Sequence, residues 1–223
     1  MRVAVLTLTR DRLDYTTHCF GTLAANAGCD YDHFVLDQGS TDGTQEWLLD
    51  NEALDVTTLA ENIGICRGLN LLLDESINAK DYDVLVRFDN DCEVLQPDTL
   101  ATVAGLALEH EAILAPRVLG LLNPPAVIGA VPMADHWIDI TGILGGIFMA
   151  IPARLFSEYG FRYNEANPLY TGDEAIVPWW QSQSPGNFCG YVQGFAVNHY
   201  ETTLGQRERF PEYESRKLAE MAA

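Results

Sequence analysis

Short apolar runs alternate with helical patterns through the first half of the chain, and no other feature restricts the fold as strongly. The predicted strands cover residues 2–8, 33–37, 54–60, 82–88 and 112–116. The predicted helices cover residues 11–26, capped by Asp11, and residues 44–50, 65–79 and 97–109. This alternation predicts a largely parallel α/β sheet with helices on both faces.

The second half of the chain is less regular. Residues 120–133 are rich in Gly, Pro and small apolar residues, which predicts a loop. We also predict strands over 145–151 and 188–197, a short helix from Pro152, a helical stretch over 172–180 that Pro178 kinks or ends, and a charged terminal helix over 208–221. With 223 residues, 48% of them hydrophobic, we expect a single domain spanning residues 1–223.

Charge and composition exclude several classes of protein. The formal net charge of -19 disfavours direct duplex-DNA binding, which only a local basic patch could overcome. We expect no secretory leader, because the opening segment lacks a basic region and a small-residue cleavage site, and no apolar run reaches the roughly 20 residues that a membrane helix needs. Its five cysteines lack a CxxC spacing, which favours reduced thiols. We therefore expect a cytoplasmic protein without a membrane segment.

Polar clusters follow three of the predicted strands, where ligands bind in open parallel sheets. The sharpest cluster is Asp89, Asn90 and Asp91. Two carboxylates at this spacing can converge on Mn²⁺ or Mg²⁺, which prefer oxygen ligands and often share substrate phosphates. The alternative is a solvated turn with a helix-capping Asp.

The other two clusters cover residues 37–44 and 61–70. Asp37 stands at a strand tip, where it could accept a hydrogen bond from a nucleobase, although the segment also fits a simple Asx turn and helix cap. In the second cluster, Arg67 near a helix start could face a diphosphate or could be a surface charge. Either cluster alone is weak evidence for a site.

Taken together, these segments resemble the motifs of family two glycosyltransferases. Residues 35–44 resemble the first nucleotide-binding motif, residues 61–70 the second, and residues 89–91 the DxD metal motif, in the same order and at similar spacing. Gly145 and Gly146 resemble the small-residue strand before the acceptor site. Residues 172–174 resemble the acidic motif that carries the catalytic base, and His199 is similar to a metal-binding histidine of many members.

The resemblance implies a GT-A fold, in which a nucleotide-binding mixed sheet flanked by helices (residues 1–117) joins an acceptor-binding region (residues 118–223). It implies an inverting transfer of sugar from a nucleoside-diphosphate-sugar, UDP-sugar by default, with Mn²⁺ or Mg²⁺ as cofactor. The metal ligands would be Asp91, Asp89 and His199, and the base Asp173 with Glu174 in reserve. The donor-binding residues would be Thr7, Arg10, Asp37, Ser40, Asp42, Asn62, Gly64, Arg67, Asn70, Asp89 and Asn90.

The sequence departs from the family pattern in two places. Gly172 occupies the first acidic position of the base motif, and Arg87 lies in a strand that is normally apolar. A catalytically silent nucleotide- or carbohydrate-binding module therefore remains an alternative function. A nucleotidyltransferase is disfavoured because residues 7–12 contain no glycine, and an oxidoreductase because no GxGxxG follows the first strand. The acceptor stays open among lipid, glycan, protein and modified nucleobase.

Overall fold

The computed structural model describes residues 1–167 and 169–221. Its strands are β1 (Val3–Thr9), β2 (Asp32–Gln38), β3 (Asp55–Leu59), β4 (Val84–Phe88), β5 (Cys92–Val94), β6 (Ile113–Leu119), β7 (Val127–Met133), β8 (His136–Thr141), β9 (Phe148–Pro152) and β10 (Cys189–His199). Its helices are α1 (Leu13–Asn26), α2 (Thr44–Leu49), α3 (Ile65–Ala79), α4 (Thr99–His110), α5 (Arg154–Ser157), α6 (Ile176–Gln183), α7 (Thr202–Arg209) and α8 (Pro211–Met221).

One mixed sheet runs through the described part of the chain, in the order β3-β2-β1-β4-β9-β6-β10-β8-β7, with β5 paired to β10. Strands β1 to β4 are mutually parallel, whereas β9 inserts antiparallel beside β4. β1 and β4 are buried at nearly every position because their β-branched and apolar side chains are covered on both faces. The register aligns Thr9 with Asp37 and Leu6 with Arg87, so the segments after β1, β2 and β4 emerge at one edge of the sheet.

Four local predictions are wrong. Residues 120–133 are not all loop, because residues 127–133 form β7 of a hairpin with β8. Asp11 does not cap α1, because Arg12 is the residue directly before the helix. Asp11 instead accepts hydrogen bonds from Thr41. Pro178 does not end α6, because it lies in the first turn of the helix. A backbone N–H in the first turn has no acceptor within the helix, so proline, which lacks this N–H, is tolerated there. The terminal helix is two helices that separate before Pro211.

Among the described residues, no helix is both long and apolar enough to cross a bilayer. All five cysteines are free, and four of them are buried.

Candidate active site

A cavity of about 320 Å³ opens at the edge of the sheet where β1 and β4 end. The loop after β1 contributes Arg10 and Arg12, and the segment after β4 contributes Asp89, Asn90 and Asp91. The C-terminal helices α7 and α8 form the opposite wall. The cavity therefore lies where strand-end ligand sites are found in α/β sheets.

Asp91 is at the centre of the polar network in this cavity. Its Oδ2 accepts hydrogen bonds from Arg12 Nη1 (3.0 Å) and Gln206 Nε2 (3.1 Å), and it lies 3.4 Å from His199 Nε2. Burial raises the pKa of Asp91, but the charge of Arg12 and the hydrogen bonds from His199 and Gln206 outweigh it and hold that pKa well below its usual range. The carboxylate is therefore ionised, as a metal ligand must be.

Three hydrogen bonds hold the Asn90 side chain at the cavity. Its Nδ2 donates to Thr9 Oγ1 (3.1 Å) and Thr16 Oγ1 (3.0 Å), and its Oδ1 accepts from Arg12 Nη2 (2.9 Å). This amide fixes the DxD segment against β1 and α1 and orients Arg12.

Asp89 is connected to the predicted base through Arg87. The Nη2 of Arg87 lies 3.1 Å from Asp89 Oδ1, and its Nη1 pairs with Asp173 Oδ2. Burial by itself raises the pKa of Asp173. The charge of Arg87 and its hydrogen bond lower this pKa by more than burial raises it, so the pKa of Asp173 lies below its usual value. Burial and the nearby carboxylates raise the pKa of Asp89, which Arg87 only partly offsets. The two carboxylates of the DxD segment therefore differ in electrostatic character.

Residues 37–44, predicted to be the first nucleotide-binding motif, close on themselves as a turn. Asp37 is fully buried and accepts hydrogen bonds from Ser40 and from Gln45 Nε2 (3.1 Å). Asp42 accepts from the backbone of Leu13 (3.0 Å) and so ties this turn to the start of α1. Neither Asp37, Ser40 nor Asp42 lines the cavity; Gln38 does, and its Oε1 accepts from the backbone N–H of residue 63 at 3.0 Å.

The second segment contributes Asn62 to the cavity. Its Nδ2 donates to Tyr170 Oη at 3.0 Å, and its Oδ1 accepts from Gly64 N at 2.9 Å. Gly64 has φ +91° and lies so close to Leu169 that a Cβ would be 3.0 Å from its Cα. Glycine is therefore required at position 64, although it does not line the cavity.

Four further predicted residues lie elsewhere. Thr7 is buried and hydrogen-bonds His33 at 2.9 Å. Arg67 is exposed on α3, and Asn70 on the same helix holds the backbone of Tyr163. Glu174 is half-buried in the short 3₁₀ turn that precedes α6. The structure thus brings together Arg10, Asn62, Asp89, Asn90, Asp91 and His199 at the cavity, which these four residues do not line. Asp173, the predicted base, does not line the cavity either, but it pairs with Arg87, which does.

The contribution of α7 and α8 to the cavity was not predicted from the sequence. Glu220 of α8 accepts from Arg10 Nη1 (2.7 Å) and Tyr170 Oη (2.6 Å), and the Tyr213 ring lies 4.8 Å from the Arg12 guanidinium. No local pattern signals the contacts of Arg10 and Arg12 with α8, because they join residues about 200 positions apart. Arg12 itself could have been found, since it is a basic residue directly after β1 in a strongly acidic chain.

The cavity is lined by five basic side chains, although the net charge of the chain is -19. Its basic side chains are Arg10, Arg12, Arg87, Arg207 and Lys217, against the acidic Asp89, Asp91 and Glu214. The Nε atoms of Arg10 and Arg12 are buried without a hydrogen-bond partner among the described residues.

No sequence family matches the chain, and no characterised protein matches it by sequence. Solved structures do resemble it. S. aureus TarS 1–349 with UDP-GlcNAc has a TM-score of 0.62 at 15% identity, and the match covers 89% of this chain and 58% of that one. GalNAc-T7 with UDP, GalNAc and Mn²⁺ has a TM-score of 0.67 at 15% identity, covering 92% and 45%.

A third neighbour is the mannosyltransferase PcManGT from Pyrobaculum calidifontis with GDP-Man and Mn²⁺, with a TM-score of 0.63 at 15% identity, covering 93% of this chain and 59% of that one. The fold is that of the GT-A glycosyltransferases. The fold class predicted from the sequence is therefore confirmed. The chain spans less than two thirds of the length of each of these three neighbours.

The residues at the cavity fit a divalent ion only when a substrate completes its shell. Within the part of the chain that the structure describes, no three His, Cys, Asp or Glu side chains lie close enough to form a metal site. Asp91 and His199 do converge, 3.4 Å apart, with the anionic carboxylate beside the imidazole. Two protein ligands supplemented by substrate phosphates is a common arrangement for Mg²⁺.

Proposed function

We propose that the protein is a metal-dependent inverting glycosyltransferase that moves a sugar from a nucleoside-diphosphate-sugar to an acceptor hydroxyl. The observation that carries this proposal is the cavity at the carboxyl edge of β1 and β4, lined by five basic side chains, with the Asp91–His199 pair inside it. In a chain of net charge -19, basic walls around a buried carboxylate favour a ligand that brings both phosphate oxygens and a cation.

The diphosphate is assigned to the side of the cavity lined by Arg10, Arg12 and Lys217. The planar guanidinium groups of Arg10 and Arg12 match phosphate geometry. Asn62 and Gln38 lie on the β2 side of the same cavity and are assigned to the nucleoside.

Asp91 and His199 would hold the divalent ion, which would neutralise the charge that develops on the departing diphosphate oxygen. Asp89, whose carboxylate faces Arg87, is placed to orient the donor or to join the ion. Arg12 donates to the same Asp91 oxygen that faces His199, and so keeps this carboxylate directed into the cavity.

Asp173 is assigned as the general base, with Glu174 in reserve. It would remove the proton of the acceptor hydroxyl as that oxygen attacks the anomeric carbon opposite the leaving group. The bond to the diphosphate breaks in the same step, so the configuration inverts without a covalent enzyme intermediate. Arg87 keeps the Asp173 carboxylate ionised, which a base requires.

The structural neighbours support the donor class. TarS was solved with UDP-GlcNAc, and PcManGT with GDP-Man and Mn²⁺. The donors bound to these two neighbours carry different nucleobases. The nucleobase of this protein's donor therefore stays open, with UDP as the first candidate. The acceptor class is likewise open.

The test is a thermal-shift panel of nucleoside diphosphates and nucleotide-sugars with and without Mn²⁺, followed by an assay of nucleoside diphosphate release. We expect Mn²⁺-dependent stabilisation by one donor, slow release of its diphosphate, and loss of both in Asp91→Ala. The exposed Asp135→Ala is the matched control and should resemble the wild type. Binding without turnover would instead support a silent binding module, and full activity in Asp91→Ala would refute the metal assignment.

A further inference from the structure

Arg87 is a charged side chain inside a strand that is otherwise apolar. All five positions of β4 are buried, and the Arg87 side chain is 7% exposed. A buried charge is costly unless it is paired, and removal of a buried partner destabilises a protein strongly. Packing within the sheet therefore does not explain why a charged residue stands at position 87.

The guanidinium joins two carboxylates with different assigned tasks. One Nη group faces Asp89 of the DxD segment, and the other faces Asp173, assigned as the base. These carboxylates are far apart in the sequence and contact different Nη groups of Arg87, which itself lines the cavity. The fork of the guanidinium fixes the direction of both partners, which a lysine ammonium cannot do.

Gly146 makes room for this bridge. A Cβ at position 146 would overlap Arg87 Nη1 and lie 2.5 Å from Asp173 Oδ2. Any side chain there would displace the ion pair. The bridge and its glycine therefore form one unit, built from β4, the segment before β9, and the turn before α6.

We propose that Arg87 is a positioning residue that fixes the Asp173 carboxylate relative to the donor cavity. The proposal rests on the function proposed above and adds a residue to it. Arg87 acts through Asp173 and not on the nucleotide. Loss of Arg87 also removes a partner of Asp89, so it should slow the chemical step by more than it weakens binding of the donor.

The experiment compares the wild type with Arg87→Lys, Arg87→Met and Gly146→Ala, using a UDP-sugar that the wild type turns over, with water as acceptor, and UDP with Mn²⁺ for binding. We expect kcat to fall by about 10- to 100-fold in all three variants, because misplacement of a reacting group by about 1 Å has an effect of this size. The donor KM and the Kd of UDP should change by less than about twofold in Gly146→Ala, and in the two Arg87 variants by less than kcat does, because these variants also lose the contact with Asp89. The Arg87→Lys variant keeps the positive charge but loses the fork, so its rescue of kcat relative to Arg87→Met should be incomplete.

Gly142→Ala is the matched control for Gly146→Ala, because a Cβ at position 142 meets nothing within 4 Å. It should keep the wild-type kcat. If Arg87→Met does not fold, Gly146→Ala and Arg87→Lys carry the test.

Unchanged kcat in folded Arg87→Lys and Gly146→Ala variants would overturn the proposal. A rise in donor KM at unchanged kcat would also overturn it, because Arg87 would then be a ligand of the donor. In both cases a wild-type protein that turns over leaves the proposed function intact. A wild-type protein that binds no nucleotide, or binds it without turnover, would overturn the proposed function and this inference together.

Discussion

Glu220 of the C-terminal helix accepts a hydrogen bond of 2.7 Å from Arg10 Nη1, across the cavity assigned to the donor. Asn62 Nδ2 donates to the same carboxylate oxygen at 3.2 Å. The hydrogen bond from Arg10 lowers the pKa of Glu220 to about 2, against the opposing effect of burial. An ionised carboxylate of the chain itself therefore engages two residues that the sequence predicts as nucleotide ligands.

Glu220→Ala should tighten nucleotide binding, because it frees Arg10 and Asn62 from an internal acceptor. We expect the Kd of the preferred nucleoside diphosphate to fall by about tenfold, which corresponds to ~1.4 kcal/mol. The measurement is isothermal titration in the presence of Mn²⁺. Glu212→Ala removes an exposed acid from the same helix and should leave the Kd unchanged. Weaker binding in Glu220→Ala would show instead that α8 contributes favourably to the nucleotide site.

Arg12→Met should destabilise the fold, because it leaves the Asp91 carboxylate buried without its strongest cationic partner. The two side chains are 11% and 9% exposed, so solvent cannot replace the pair. We expect the free energy of unfolding in urea to fall by about 3–5 kcal/mol.

Arg117→Met is the control for this prediction. Arg117 pairs with Asp139 at 3.7 Å, but its side chain is 46% exposed. A surface pair of this kind contributes about 0–1 kcal/mol, so the loss should be small. Equal losses in the two variants would contradict a central role for Arg12.

The local elements of the fold were predictable where the apolar spacing is regular. The bounds of α3 agree with the sequence because Leu69, Leu72 and Leu73 repeat at helical spacing and are buried. β7 was not predictable, because its outer residues are exposed at the end of the sheet and contain Gly129 and Pro132 in place of alternating apolar and polar residues. The alternating pattern arises where one face of a strand is buried, and most residues of β7 are exposed.

The site was predictable only where it follows a strand. Asp89 to Asp91 and Arg10 could be placed because parallel strands end at a shared edge. The residues that complete the network, Gln206 and Glu220, belong to helices that reach the cavity from the far end of the chain. Their contacts depend on tertiary packing, for which a single sequence has no local signal.

Asn70→Ala should test whether this residue binds nucleotide or supports the loop that follows α5. Asn70 exchanges two hydrogen bonds of 3.0 Å with the backbone of Tyr163 and donates to Glu165 at 2.9 Å. Its removal leaves buried backbone groups unpaired, which costs about 1–3 kcal/mol in urea unfolding. The Kd of the nucleotide should stay within about twofold of the wild type, since this side chain does not line the cavity. A selective loss of nucleotide affinity at unchanged stability would restore the role predicted from the sequence.

His33 should make the stability of the fold fall in mild acid. The ring is 4% exposed, lies against Phe20 and Phe88, and contacts the Thr7 hydroxyl. Burial disfavours the charged imidazolium and lowers the pKa of His33 to about 3. Between pH 6.5, the ordinary pKa of histidine, and this lowered value, the unfolded chain binds the proton and the folded chain does not. The free energy of unfolding therefore decreases as the pH falls, by about 1.4 kcal/mol per pH unit.

The matched variant for this prediction is His33→Gln, which stays neutral at every pH. Urea unfolding gives the free energy of unfolding of each protein at about pH 7.5 and about pH 5, and so its change over this interval. Subtracting the change in the variant from the change in the wild type removes the contribution of the carboxylates, which titrate in both proteins. The wild type should lose ~2 kcal/mol more than the variant over this interval. Parallel pH dependence in the two proteins would mean that His33 accepts its proton in the folded state, and that the cluster around it admits water.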